Sequence, residues 1–200
     1  DQYFPNQGLY GSDWRADVTR AGAGTLLEHS IHDVDILRWL LGDPDQVRAT
    51  VASRFGHPGI EDVAALTCTY PDGAVATLTS VWHQVLSRGS SRRVEVFCER
   101  ALLWLDDDFT GPLHVETADG TTTAPSEPPD WVQVLEAPPM LARAVAEYAP
   151  ASKAFLDGLA TGGGTTPGPH ADTALAAHRI VDAAYRSAAA GGEAVAPSTR

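Results

Sequence analysis

Residues 62–82 read DVAALTCTYPDGAVATLTSVW. Two apolar-rich runs, 62–70 and 74–82, flank Pro71-Asp72-Gly73. Proline presets a turn φ and glycine tolerates the positive φ that closes a tight turn, so this stretch predicts a β-hairpin. Its arms are dense in Val and Thr, residues that suit a pleated, half-buried surface.

Further runs extend the pattern. Residues 47–55 (VRATVASRF) alternate, 93–98 (RVEVFC) and 101–105 (ALLWL) predict two more strands, and a weaker pair at 113–117 and 120–124 surrounds Asp119-Gly120. Upstream, residues 25–41 (TLLEHSIHDVDILRWLL) have helical periodicity, stopped by Gly42 and then Asp43-Pro44. Residues 1–24 read as loop and 125–139 as an irregular Pro-rich stretch. Two helices come next at 140–160 and 170–189, split by Gly162-Gly163-Gly164 and Pro167-Gly168-Pro169. Their apolar stripe (Leu141, Val145, Tyr148, Phe155, Leu159; Leu175, Ile180, Val181, Tyr185) is expected to pack in the core.

This order predicts an α+β fold: a mostly antiparallel open sheet with helices packed on one face, in a single domain over residues 1–200. The other sheet face then needs a cover. A second copy of the chain is the natural one, giving a homo-oligomer, expected as a dimer.

Composition narrows the function. The 200 residues are 44% hydrophobic and 20% charged, ordinary for a globular protein. Against 26 acidic residues stand 14 basic ones, a net charge of -12 that excludes nucleic acid or an anionic membrane as the main partner. Lys153 is the single lysine, so lysine chemistry must use it or come from outside the chain. Cys68 and Cys98 lie in strand-like runs and read as small buried apolar side chains. They fit a reducing compartment, the cytoplasm. The sequence has neither a signal peptide nor an apolar run approaching the roughly 20 residues a membrane span needs.

The helix predicted over 25–41 carries the chemistry. At about 100° per residue, with Glu28 at zero, His32 falls near about +40°, Asp35 near about -20° and Trp39 near about +20°. Acid, imidazole, acid and indole thus share one strip, while Leu26, Leu37, Leu40 and Leu41 form the face expected against the sheet. Imidazole titrates near neutral pH and can take or give a proton. A carboxylate one turn away can fix its tautomer and favour the imidazolium. A surface histidine with ordinary acid support at helical spacing gives the same pattern. Before the helix, Trp14-Arg15 offer a flat apolar wall and a fork of donors, and Ala21-Gly22-Ala23-Gly24 lets backbone approach closely. An exposed arginine in a flexible loop fits those residues equally.

Two look-alikes fail on spacing. Gly22-x-Gly24 lacks a third glycine and a preceding strand, so it is no dinucleotide fingerprint. Glu28-His29-Ser30-Ile31-His32 puts its histidines at i, i+3 rather than the i, i+4 of a zinc protease helix. No metal site is assigned.

The run WRADVTRAGAGTLLEHSIHDVDILRWLLGDPDQVRA resembles the start of the second domain of the glucose–fructose oxidoreductase / inositol dehydrogenase / rhizopine-catabolism (Gfo/Idh/MocA) family. The shared features are Trp14-Arg15, Gly22 to Gly24, Glu28, His32, Asp35 and Leu40-Leu41-Gly42. The central hairpin, the next strand pair and the closing helices are similar as well. The resemblance implies an NAD- or NADP-dependent oxidoreductase acting on a sugar, inositol or related polyol. An amino-terminal Rossmann domain would bind the cofactor, and this domain would supply the oligomerising sheet and part of the substrate site. His32 would be the acid/base on the reacting hydroxyl as hydride leaves its carbon. Glu28 would be its partner and Asp35 a supporting residue. Trp14, Arg15 and His83 would be substrate-wall candidates.

The departures are specific. Members more often carry Asp at the position of Glu28. The family's lysine, in a Glu-Lys-Pro motif of the Rossmann half, is not in this sequence, nor is that half. The chain is therefore expected to be the carboxy-terminal piece of a longer enzyme, inactive alone, with no cofactor-binding residues of its own. The rival functions are a non-catalytic binding or dimerisation relative and a metal-dependent lyase or hydrolase built on His29, His32 and Glu28.

Overall fold

The computed structural model describes residues 2–3, 11–85, 87, 89–105, 111–125, 130–133, 136–161 and 170–198. The described chain divides into two compact units, residues 1–90 with 169–200, and residues 91–168. The expected breakers Gly162–Gly164 and Pro167–Pro169 lie outside the described residues.

In the first unit, β1 (Gln2–Tyr3), β2 (Gln46–Ala52), β3 (Val63–Thr69) and β4 (Val75–His83) form a sheet of order β1-β4-β3-β2. The predicted hairpin is β3–β4, with Thr69 opposite Val75, and Gly73 takes φ +87° in its turn. The β2–β3 and β3–β4 pairs are antiparallel, whereas β1 runs parallel to β4. Alternation sends Val47, Ala49, Ala64, Leu66, Cys68 and Ala76 to one buried face. There they meet Ala177, Ile180, Val181 and Ala184 of α7 (Ala171–Ala189).

The segment read as loop over 1–24 holds more structure than expected. Besides β1 it contains a 3-10 turn (Asp13–Ala16) and a short helix α1 (Val18–Ala21), whose N-terminus the Asp17 side chain caps by accepting from Thr19 N–H at 2.9 Å. The helix expected over 25–41 is not continuous. It divides into α2 (Thr25–Glu28) and α3 (Ile31–Leu41), with His29 and Ser30 between them. Gly42 ends α3 as expected, at φ +82° and donating to the Arg38 carbonyl at 2.8 Å. Leu26 is fully buried and Leu37 and Leu41 pack on the core, but Leu40 is exposed, because it lies about 120° round α3 from buried Val34, at the edge of the apolar stripe.

The second unit carries the other strands: β5 (Val94–Phe97), β6 (Ala101–Leu105), β7 (Leu113–Thr117) and β8 (Gly120–Ala124), an antiparallel meander in chain order. The strands thus build two sheets, not one. Cys68 is buried as expected, but Cys98 is exposed, since it falls past the end of β5 in the turn to β6. A short helix α4 (Asp130–Gln133) interrupts the Pro-rich stretch. The expected helix 140–160 is two, α5 (Pro139–Tyr148) and α6 (Pro150–Ala160), divided where Pro150 cannot donate its backbone nitrogen. The stripe expected in the core is exposed here at Leu141, Tyr148, Phe155 and Leu159. Among the described residues, α5 packs on α4 and α6, and no large sheet face covers it. On α7 the stripe is buried at Ile180 and Val181 and exposed at Leu175.

Candidate functional site

The site builds on the rim of the first sheet. The β3–β4 register places Ala64 opposite Ser80 and Val63 opposite Val81, so the start of β3 and the end of β4 lie together. Trp82 and Ile60, both fully buried, form a small apolar cluster there, against which Ala16 and Ala21 pack. That contact seats the segment holding Trp14 and Arg15.

Arg15 has three partners. Its guanidinium lies 4.3 Å from the centre of the Trp14 ring, Nη1 donates to Ser12 Oγ at 3.0 Å, and Nε donates to a Glu28 carboxylate oxygen. About a fifth to a quarter of each ionised side chain is exposed (24% and 20%), so the pair is only partly screened. The structure thus brings Trp14, Arg15 and Glu28 into one group. Glu28 sits at the C-terminal end of α2, while His32 stands in the first turn of α3, exposed, with Asp35 one turn further and half-buried. His32, Asp35 and Trp39 share α3, and Trp39 is 83% exposed. The angular strip drawn for a straight helix holds for these three and not for Glu28, which precedes the break.

His83 closes β4, buried, with Tyr3 of β1 opposite it. Its Nδ1 accepts from the Val85 N–H at 3.2 Å, which leaves the proton of the neutral ring on Nε2. Strand alternation assigns His83 to the sheet face opposite Ser80 and Trp82.

The break between α2 and α3 has a sheet residue beneath it. Ser80 Oγ lies 2.7 Å from Thr25 Oγ1 and 2.6 Å from Ser30 Oγ, and all three residues are buried. Ser30 N–H reaches back to the Thr25 carbonyl at 2.9 Å, five residues away, in place of the usual four.

The N-terminal end of α2 is held by Glu61, 5% exposed. Its Oε2 accepts from Gly24 N–H at 2.6 Å, and its Oε1 accepts from Leu26 N–H at 3.0 Å and from Tyr185 O–H at 2.8 Å. Thr25 N–H donates to the Glu61 carbonyl at 2.9 Å. Burial, and then the Glu61 charge, push the Tyr185 hydroxyl far above its usual range, so it stays a donor. Beside it, Asp62 is fully buried and accepts from the Arg54 and Phe55 amides at 2.7–2.9 Å. Sequence reasoning passed over Glu61, Ser80 and Tyr185. The available signal was Glu61-Asp62, two adjacent acids at the foot of an apolar hairpin arm.

The glycine run has a packing explanation. A Cβ on Gly24 would lie 1.9 Å from the Glu61 carbonyl oxygen, so protein backbone fills the space that a phosphate would need. The Gly22–Gly24 run therefore forms no dinucleotide cradle. Nor do any three His, Cys, Asp or Glu side chains converge among them as metal ligands would. No helix among the described residues is long and apolar enough to cross a membrane.

Comparison with known proteins agrees with this layout. Residues 1–104 match the family model described as the GFO/IDH/MocA C-terminal domain. The uncharacterized oxidoreductase YrbE of Bacillus subtilis (strain 168) is 31% identical over 108 residues, which is 52% of this chain and 31% of YrbE. Among solved structures, levoglucosan dehydrogenase in complex with NADH and levoglucosan superposes with TM-score 0.76 at 22% identity, over 99% of this chain and 56% of that one. An oxidoreductase from Agrobacterium radiobacter, in complex with NAD+, L-tartaric acid and magnesium, gives 0.72 at 20% identity, over 98% and 54%. At these identities the two structures establish the fold. The chain spans about half the length of each of them.

Proposed function

Because this chain belongs to the Gfo/Idh/MocA oxidoreductases, as their C-terminal domain, we propose that it supplies the substrate side of an enzyme that oxidises or reduces a sugar, inositol or related polyol. The observation that carries the proposal is the segment 12–41, which lies inside the matched region, docks on Ile60 and Trp82 through Ala16 and Ala21, and joins Arg15 to Glu28, four residues before His32. The cofactor of the enzyme is a nicotinamide dinucleotide, NAD or NADP, a reading supported by similar structures complexed with NAD+ and NADH.

His32 holds or moves the proton of the reacting hydroxyl. It is exposed in the first turn of α3, where a substrate oxygen can reach it. Glu28 precedes it by four residues and Asp35 comes three after it in α3. Arg15, anchored by Glu28 and stacked on Trp14, presents its remaining donors to substrate hydroxyls. His83, whose side chain falls on the sheet face away from Ser80 and α2, is left out of the substrate wall. A homo-oligomer forms through the outer face of the first sheet, where Arg48, Thr50, Thr67, Thr77 and Thr79 line a shallow depression.

The test uses the full-length protein with levoglucosan, glucose and myo-inositol as probes and NAD+ or NADP+ as oxidant. His32→Ala should lower turnover by on the order of 10²–10⁴-fold. Cofactor affinity, read by calorimetry, should stay unchanged. Turnover within tenfold of wild type would remove His32 from the mechanism. Absence of any cofactor binding would favour a non-catalytic relative.

A further inference from the structure

We propose that Glu61 is a positioning residue for the proton-transfer segment, an inference that rests on the function proposed above. A buried carboxylate is costly unless donors replace its water. Glu61 receives three: the Gly24 and Leu26 amides and the Tyr185 hydroxyl. Two of the three are orphan donors of the first turn of α2, and its own carbonyl takes a third amide, from Thr25. A four-residue helix cannot hold its position by its own hydrogen bonds. Its location is therefore set from outside: by Glu61 at its beginning and by Ser80, which bonds its first residue, Thr25, and Ser30 just past its end.

The two anchors share one origin. Glu61 stands just before β3, and Ser80 faces Ala64 in the β3–β4 register. The sheet thus fixes α2 at both ends, and α2 in turn fixes Glu28 and the start of α3. Glu28 closes α2 and holds Arg15, and His32 stands four residues beyond Glu28 and two beyond the Ser30 pin. The Gly24 contact shows how little slack the joint has, since even a methyl group there would collide with Glu61. Tyr185 carries the same carboxylate to α7, so the longest helix of the unit is part of the support.

Replacing Glu61 by Gln puts an NH2 group against a backbone N–H and removes the charge that three donors address. A displacement of about 1 Å at reacting groups can cost on the order of 100-fold in rate. In the full-length protein, with levoglucosan, glucose and myo-inositol as probes, Glu61→Gln should lower kcat by about 10- to 100-fold and leave the KM for the nicotinamide cofactor within about twofold. The deciding measurement is a double-mutant cycle. In a His32→Ala background the same substitution should cost less than about twofold, because a residue acting through His32 has nothing left to position. An equal cost in both backgrounds, or no cost in the wild type, overturns the proposal while the His32 assignment stands. Wild-type turnover in His32→Ala overturns the function proposed above instead, and the positioning role falls with it. Should Glu61→Gln fail to fold, Tyr185→Phe deletes one of the three donors and keeps the ring. It should cost about three- to tenfold, again only when His32 is present, and an unchanged kcat overturns the proposal.

Discussion

The two sheets of this chain have similar strand numbers and very different interiors. In the first, β3 alternates strictly: Ala64, Leu66 and Cys68 are buried beside α7 and its neighbours, while Ala65 and Thr69 face outward. In the second, none of the residues of β5 to β8 is buried, and all of β8 is exposed. Burial sets register, because a one-residue slip in β3 would send every core side chain to the wrong face. The candidate site sits on the sheet that has this constraint. A proton-transfer segment needs fixed coordinates, and the buried sheet can supply them.

The comparison can be broken by mutation. Leu66→Ala in β3 should lose about 3 kcal/mol in urea unfolding, since Leu66 is 4% exposed and leaves a cavity. Leu103→Ala in half-buried β6 should lose about 1 kcal/mol or less. Equal losses would mean that the second sheet is as well supported as the first. Gly24→Ala should cost about 2 kcal/mol, because a Cβ there meets backbone and not a flexible side chain. The same variant should speed amide exchange at Leu26, and a neutral result would show that the α2 joint has room.

A pH series sharpens the contrast further. Burial pushes the Cys68 thiol from its ordinary 9.0 to about 11. Burial, then the nearby Cys68 and Asp43 charges, push the Tyr70 hydroxyl from 10.0 to about 12. Both groups are neutral in the fold, and the unfolded chain releases their protons first. Their stabilising contribution is therefore complete below about 9 and is lost as pH rises through the window to about 12, by at most about 1.4 kcal/mol per pH unit for each group. Urea midpoints taken across that window should fall, and the fall should be smaller in Tyr70→Phe. An identical slope in the variant would mean that Tyr70 ionises freely in the native state.

Local chemistry explains which parts of the fold were legible. The hairpin at Pro71–Gly73, the strands 101–105, 113–117 and 120–124, and the stop at Gly42 arise from turn residues and alternation acting over a few positions. The break at His29–Ser30 does not, because its cause is Ser80, fifty residues away in sequence. The same holds for Glu61, whose donors come from Gly24, Leu26 and Tyr185. His32, Asp35 and Trp39 were readable as one helical stripe because all three lie beyond the break. Glu28 was readable as a functional acid, but its bond to Arg15 depends on the docking of the 3-10 turn on Ile60 and Trp82. The exposed stripe of α5 and α6 marks the opposite failure: helical periodicity states which residues share a face, not whether anything lies against it.

The Thr25–Ser80–Ser30 trio has one more consequence. Alcohol groups keep the same charge throughout the range in which an imidazole gains or loses its proton. The hinge point between α2 and α3 is thus fastened by groups indifferent to acidity, and a change of protonation on the neighbouring histidine leaves its mounting untouched.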